Sequence, residues 1–221
     1  SEELSRHLRE LLPAKEDMKV LVVGLGNREI TPDALGPDVV ANLHITRHII
    51  KEYGIQGMGE EHADSVSGIA PGVMAQTGME TMEIIRGVIE ETEPDVIIAV
   101  DALAARSVRR LNRTIQITDT GIHPGSGVGN HRSGLTEETL GIKVIGIGVP
   151  TVVDGATIVH DAMAHLLDTL EETEKKEFLE EMIAPSLHSM FVTPKDVDET
   201  VKRLAYTISE GLNMTFTSGK A

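Results

Sequence analysis

Three short apolar runs punctuate the chain. "MKVLVVGLG" (Met18–Gly26), "DVIIAV" (Asp95–Val100) and "IKVIGIGVP" (Ile142–Pro150) are continuous in Val, Ile and Leu rather than alternating. Runs of this length, bounded by Gly, Pro or Asp, predict strands buried on both faces of a parallel sheet. "TIQITD" (Thr114–Asp119) alternates instead, which predicts a strand nearer an edge. Between the runs the apolar spacing becomes helical. It predicts helices over "ELSRHLRELL" (3–12), "DALGPDVVANLHITRHIIKEYG" (33–54, with Pro37 in the first turn) and part of "VMAQTGMETMEIIRGVIEETEP" (73–94). Two more are predicted over "GATIVHDAMAHLLDTLEE" (155–172) and along "TPKDVDETVKRLAYTISEGLN", with Thr193 as N-cap and Pro194 at the first helical position. Residues 55–72 look irregular, 123–134 form a glycine-rich loop, and "EETEKKEFLEE" (171–181) reads as a charged linker. Alternating helix and buried strand predict one α/β domain over residues 1–221, with ligands at the carboxyl ends of the strands.

Composition narrows the chemistry. The 221 residues include no Cys, which removes disulfides, thiolate metal sites and cysteine nucleophiles. Aromatic residues are only 2%, so Val, Ile, Leu, Met and Ala must build the core. A net charge of −15 without a basic stripe argues against direct nucleic-acid binding. No apolar run approaches the ~18–20 residues of a membrane span, and the charged amino-terminal stretch is unlike a signal peptide.

The first strand runs into "GLGNRE", which begins like a dinucleotide loop. The third glycine of that motif would fall at position 29, where Glu29 stands, and no P-loop motif occurs anywhere. The loop leads instead to an acid, Asp33, in "TPDALGP". The second strand leads straight into Asp101, in "DALAARS". On a parallel sheet both acids fall at the same edge although they are far apart in sequence. A carboxylate pair there can work as acid and base, because close like charges separate their pKa values. Each Asp could equally cap a following helix.

Other candidates carry weaker patterns. Ser126 lies in G-S-G without the spacing of a nucleophile elbow. His123 and His131 flank the same loop and could join Asp33 or Asp101 at a metal, although no helical His pair supports such a site. His44 and His48, four apart in "HITRH", read as a surface or interface pair on a helix. Asp154 reads as a third carboxylate at this edge or a helix cap, Pro150 and Thr151 as cleft-lining, and Met74 and Met79 mainly as core or gap-filling residues, nearer the cleft than the other methionines.

These blocks together resemble the germination proteases of spore-forming bacteria. The likeness is carried by "LVVGLGN" (21–27) with "TPDALGP" (31–37), "APGVM" (70–74), "DALAARS" (101–107), "GIHPGSGVGN" (121–130), "GVPTVVD" (148–154) and "VTPKDVD" (192–198), and it covers nearly the whole chain. It implies an α/β three-layer sandwich with a mostly parallel central sheet, phosphorylase/hydrolase-like, as in hydrogenase-maturation peptidases. It implies an endopeptidase, without cofactor, that initiates degradation of small acid-soluble spore proteins in the spore core, is made as a zymogen and assembles as a tetramer. The family's two essential aspartates fall on Asp33 and Asp101. The chain is expected to lack the family's amino-terminal propeptide region, and the stretch around 170–177 is expected to be shorter than in relatives. Two other readings stay open: a metal-recognising maturation-type peptidase, and a non-catalytic binding relative of the same fold.

Overall fold

The computed structural model describes residues 1–123, 134–167 and 185–217. At its centre lie β1 (Lys19–Gly24), β2 (Ser65–Ile69), β3 (Val96–Ala105), β4 (Gln116–Thr118), β5 (Lys143–Asp154) and β6 (Phe191–Val192). The sheet order is β2-β1-β3-β5-β4, with β6 paired to the end of β5. β2, β1, β3 and β5 are mutually parallel, whereas β4 and β6 run antiparallel to β5. The three predicted apolar runs are therefore the three central strands, and "TIQITD" supplies the edge strand its alternation predicted.

The continuous apolar runs follow from burial on both faces. Val20, Val22, Ile98, Val100 and Ile147 face one core cluster, while Leu21, Val23, Ile97 and Ala99 face the other. The first face is covered by α1 (Glu2–Leu11), α2 (Leu35–Ala41) and the long α8 (Val197–Phe216). Leu4 and Leu8 of α1 and Ile208 and Leu212 of α8 join that cluster. Ser5 and Thr215, 210 residues apart, share a buried hydroxyl hydrogen bond of 2.9 Å. The second face is covered by α5 (Thr81–Thr92) through Met82 and Ile85. Helix, sheet and helix make the three layers expected.

Local details depart from the periodicity. The helix expected over 33–54 is two helices, α2 and α3 (Arg47–Tyr53). Thr46, before α3, is buried; its hydroxyl donates to Asp64 C=O at 2.6 Å and accepts from Val66 N–H at 2.8 Å. Those bonds to the start of β2 turn the chain where an uninterrupted helix would have run past it. His44 falls in the break, so His44 and His48 are not one helical turn apart; both are exposed. The stretch 55–72 contains β2, which periodicity missed because only Val66 of "SVSGI" is buried. Within 73–94, Gly78 (φ 73°) separates the short α4 (Met74–Thr77) from α5. The final helix starts at Val197 behind Asp196 rather than behind Thr193. Besides these, α6 (Glu137–Leu140) precedes β5 and α7 (Gly155–Leu167) comes after it. The charged stretch 171–181, with the region around 170–177, lies outside the described residues.

One carboxylate ties the bottom of the sheet. Asp95 accepts from Lys15 Nζ at 2.6 Å and from Lys19 N–H at 2.8 Å. Burial raises its pKa, but the Lys15 hydrogen bond, the Lys19 amide and both ammonium charges outweigh it, and the net shift is downward. A depressed folded-state pKa contributes stability above the unfolded pKa and loses it as pH falls through the folded value. Asp95→Ala is therefore expected to destabilise by roughly 1–3 kcal/mol at neutral pH, with the orphaned Lys19 amide included. The deficit relative to the parent is expected to shrink as pH falls below the ordinary aspartate pKa of about 3.9 and on through the lowered folded-state value. Urea unfolding of both proteins across pH checks this, and a deficit independent of pH counts against the carboxylate's role.

Candidate active site

The turn after β1 is shaped by main-chain contact. A Cβ at Gly24 would lie 2.2 Å from Gly36 O. One at Gly36 would lie 2.3 Å from Leu25 O and 2.6 Å from Val100 O. The start of α2 thus presses directly onto the ends of β1 and β3, and these glycines close on backbone. Leu35, Gly36 and Pro37 are all buried there, with Pro37 in the first turn as expected. Gly26 has φ 113°, a conformation that favours glycine, and its missing Cβ leaves room for Asp33 O, which would be 2.1 Å away.

Asp33 ends a single 3-10 turn, Thr31–Asp33, that begins with Pro32 in its first positions. Its Oδ2 accepts from Asn27 N–H at 2.6 Å. Asn27 holds the turn from a second side, since its Oδ1 accepts from Glu29 N–H at 3.0 Å and from Gln76 Nε2 at 2.9 Å. No side chain caps α2, whose N-cap is Ala34. Asp33 is therefore not the N-cap of α2, and its Oδ2 is bound across the loop.

Asp101 does not begin a helix. β3 continues through it to Ala105, and Asp101 pairs with Gly148 of β5. The residue is 5% exposed, an unusual place for an acid among apolar strands. Its Oδ1 accepts from the next amide, Ala102 N–H, at 2.9 Å, which folds the carboxylate toward the strand edge.

Both aspartates line one cleft of about 740 Å³ at the carboxyl end of the sheet. Its floor is the continuation of β3, Ala102 to Ala105, and one wall is Pro150, Thr151 and Val152 of β5. Thr151 is the extra residue of a bulge, because Leu103 pairs with Pro150 and Ala104 with Val152. Thr193 lines the same wall and donates its hydroxyl to Thr151 C=O at 3.0 Å, the bond that keeps it from capping α8. Arg106 and Arg110 bring positive charge to the cleft of a strongly acidic chain, and exposed Ile30 and Phe191 bring apolar surface.

The remaining candidates separate clearly. Pro150 and Thr151 line the cleft as expected. His123 also lines it, exposed, its ring seated over Gly134. Ser126 and His131 lie outside the described residues. Asp154 caps α7: its two oxygens accept from Thr157 N–H at 2.7 Å and Thr157 Oγ1 at 2.8 Å. Met74 and Met79 are exposed and absent from the cleft lining, which Gly72 and Val73 supply instead. Asn27 and Thr193 are the residues that sequence reasoning missed. Asn27 closes the block "LVVGLGN", but its use as a loop-closing hub requires Gln76, 49 positions away. Among the described residues, no group of three or more His, Cys, Asp or Glu is arranged to hold a metal ion.

Comparison with known proteins meets this geometry. A family model described as "Germination protease" matches residues 1–170 and 165–219. The chain is 46% identical over 233 residues to a germination protease of Caldanaerobacter subterraneus subsp. tengcongensis, covering 98% of this chain and 71% of the relative. It is 43% identical over 261 residues to that of Bacillus subtilis, covering 96% and 70%. Among solved structures, the NiFe hydrogenase maturation protease HycI from Thermococcus kodakarensis superposes with a TM-score of 0.44 at 18% identity, over 94% of this chain and 99% of that one.

Proposed function

Because the chain belongs to the germination protease family, and is with it an endopeptidase that initiates spore-protein degradation, we propose that Asp33 and Asp101 together activate the water that attacks the peptide bond. The observation that carries this reading is their convergence. Two carboxylates, one from the turn after β1 and one from within β3, line one cleft, and each has one oxygen fixed by a backbone amide. Neither stands at a helix N-cap.

The division of labour is that of paired carboxylates. One, ionised, takes a proton from water as the oxygen attacks the carbonyl carbon. The other, protonated, donates to the carbonyl oxygen and stabilises the tetrahedral intermediate. A proton then passes to the departing nitrogen as the C–N bond breaks. The pair titrates as a unit, so acid and base are roles of the dyad. Asn27 positions Asp33, and Ala102 N–H positions Asp101. The substrates are small acid-soluble spore proteins, met in the spore core by a tetrameric enzyme matured from a zymogen. None of the described helices is long and apolar enough to cross a membrane.

The test is the pH dependence of kcat/KM for a spore-protein substrate, measured in excess chelator. A bell with two limbs is expected, since one carboxylate must be ionised and the other protonated. A profile flat through the carboxylate range, or activity that disappears with chelation, would remove the paired-aspartate chemistry.

A further inference from the structure

β3 outruns β1, and the difference leaves main chain uncovered. β1 ends at Gly24, opposite Val100, and Leu25 N–H still reaches Val100 C=O at 2.8 Å. From Asp101 to Ala105, β3 is paired only with β5. In a parallel sheet the N–H and C=O of one residue serve the same neighbour, and successive residues alternate between neighbours. Val100 serves β1, so Ala102 and Ala104 face the lane that β1 vacates. Both line the cleft with the aspartates. Ala102 N–H is taken by Asp101. By that alternation Ala102 C=O, Ala104 N–H and Ala104 C=O point away from β5, and among the described residues no turn, loop or cap backbone bond reaches them.

We propose that the substrate chain binds in extended form as an added strand on Ala102–Ala104, in the lane β1 leaves open. The proposal rests on reading this cleft as the peptidase site. Strand addition satisfies exposed main-chain groups with the complementary groups of an extended peptide, and gives affinity that does not depend on side chains. The methyl side chains of Ala102 and Ala104 keep the approach unobstructed. Exposed Ile30 and Phe191, which also line the cleft, offer apolar contact to the side chains of such a peptide. The register comes from strand rise. Three residues separate Asp101 from Ala104, roughly 10 Å. A substrate amide bonded at Ala104 thus lies two or three residues from the peptide bond beside Asp101.

The experiment uses a peptide spanning one cleavage site of a spore-protein substrate, and a series of it carrying one N-methyl amide at each position in turn. Turnover by the parent enzyme and affinity for the Asp101→Asn variant are both measured. Two amides, two residues apart on one side of the scissile bond, are expected to lose roughly ten- to a hundred-fold on methylation. The amide between them faces away from β3 and is expected to change by less than about threefold, which controls for the bulk of the methyl group. Equal losses at all three amides, no loss at any, or no measurable binding of the unmethylated peptide overturn strand addition. The aspartate reading fails separately. If Asp33→Asn and Asp101→Asn still cleave the parent peptide while the alternation persists, the dyad is wrong and the added strand stands. If both variants are inactive and the alternation is absent, the dyad stands and the added strand falls.

Discussion

Asp101→Asn is expected to lower kcat on a spore-protein substrate by about three orders of magnitude, within the range removed when a positioned acid or base is lost. The fold should survive the change. Asn keeps the oxygen that accepts Ala102 N–H, and it removes the cost of holding a charge-bearing group at a site 5% exposed. Urea unfolding should therefore show a midpoint equal to the parent's or higher. Asp33→Asn should lose activity to a similar extent, again keeping an acceptor for Asn27 N–H. The double variant should be little worse than either single one, because groups that act as a unit lose most of their effect together. Losses that multiply would mean that the two aspartates contribute separately. A single variant that keeps a tenth of its turnover would place that residue outside the chemistry.

Gly36→Ala is the second large effect, and it falls on stability. The new Cβ would lie 2.3 Å from Leu25 O, 2.5 Å from Leu25 N and 2.6 Å from Val100 O. All three are main-chain atoms, of β3 and of the residue that directly follows β1, so no side chain can swing aside. α2 must lift from the sheet or the strand ends must part. A cost of at least about 3 kcal/mol is expected, at the upper end of overpacking. The displaced elements carry Asp33 and adjoin Asp101, so protein that remains folded at low temperature should also be slow. Gly87→Ala is the control. Gly87 lies on the exposed face of α5 with nothing within 4 Å of the added atom, and the change should stabilise by about 0.5–1 kcal/mol. Denaturant midpoints of the two variants decide it; equal and small effects would mean that α2 has slack against the sheet.

Much of this architecture was legible in the order of residues. Strands buried on both faces need uninterrupted apolar side chains, so β1, β3 and β5 declare themselves. Once they are parallel, Asp33 and Asp101 must share an edge. What could not be read were features set by partners distant in sequence. β3 runs on into "DALAARS" because β5 is long enough to pair with it to Ala105. The break before α3 is made by Thr46 bonding to Asp64 and Val66. Thr193 has the look of an N-cap, but Thr151 C=O takes its hydroxyl. β2 is a strand because β1 pairs with it, not because "SVSGI" prefers to be one. That neither aspartate stands at an N-cap follows from where α2 begins and how far β3 runs, and both depend on partners distant in sequence.

The pairing of α1 with α8 bears on how the protein is made. Leu4 and Leu8 are buried against residues some two hundred positions later in the chain. Closing so long a loop adds little to the equilibrium cost, because that cost grows only logarithmically with length. Its consequence is in time. At ribosomal speeds of about 5–20 residues per second, α1 waits roughly 10–40 s before α8 is available to cover it. Throughout that interval the apolar residues of α1 are left exposed to solvent, a form of surface that holdase chaperones bind. One face of the sheet meanwhile lacks its largest cover. A nascent chain that already carries both aspartates is thus an incomplete core, and the protease becomes a stable catalyst only after residues 197–216 have been synthesised.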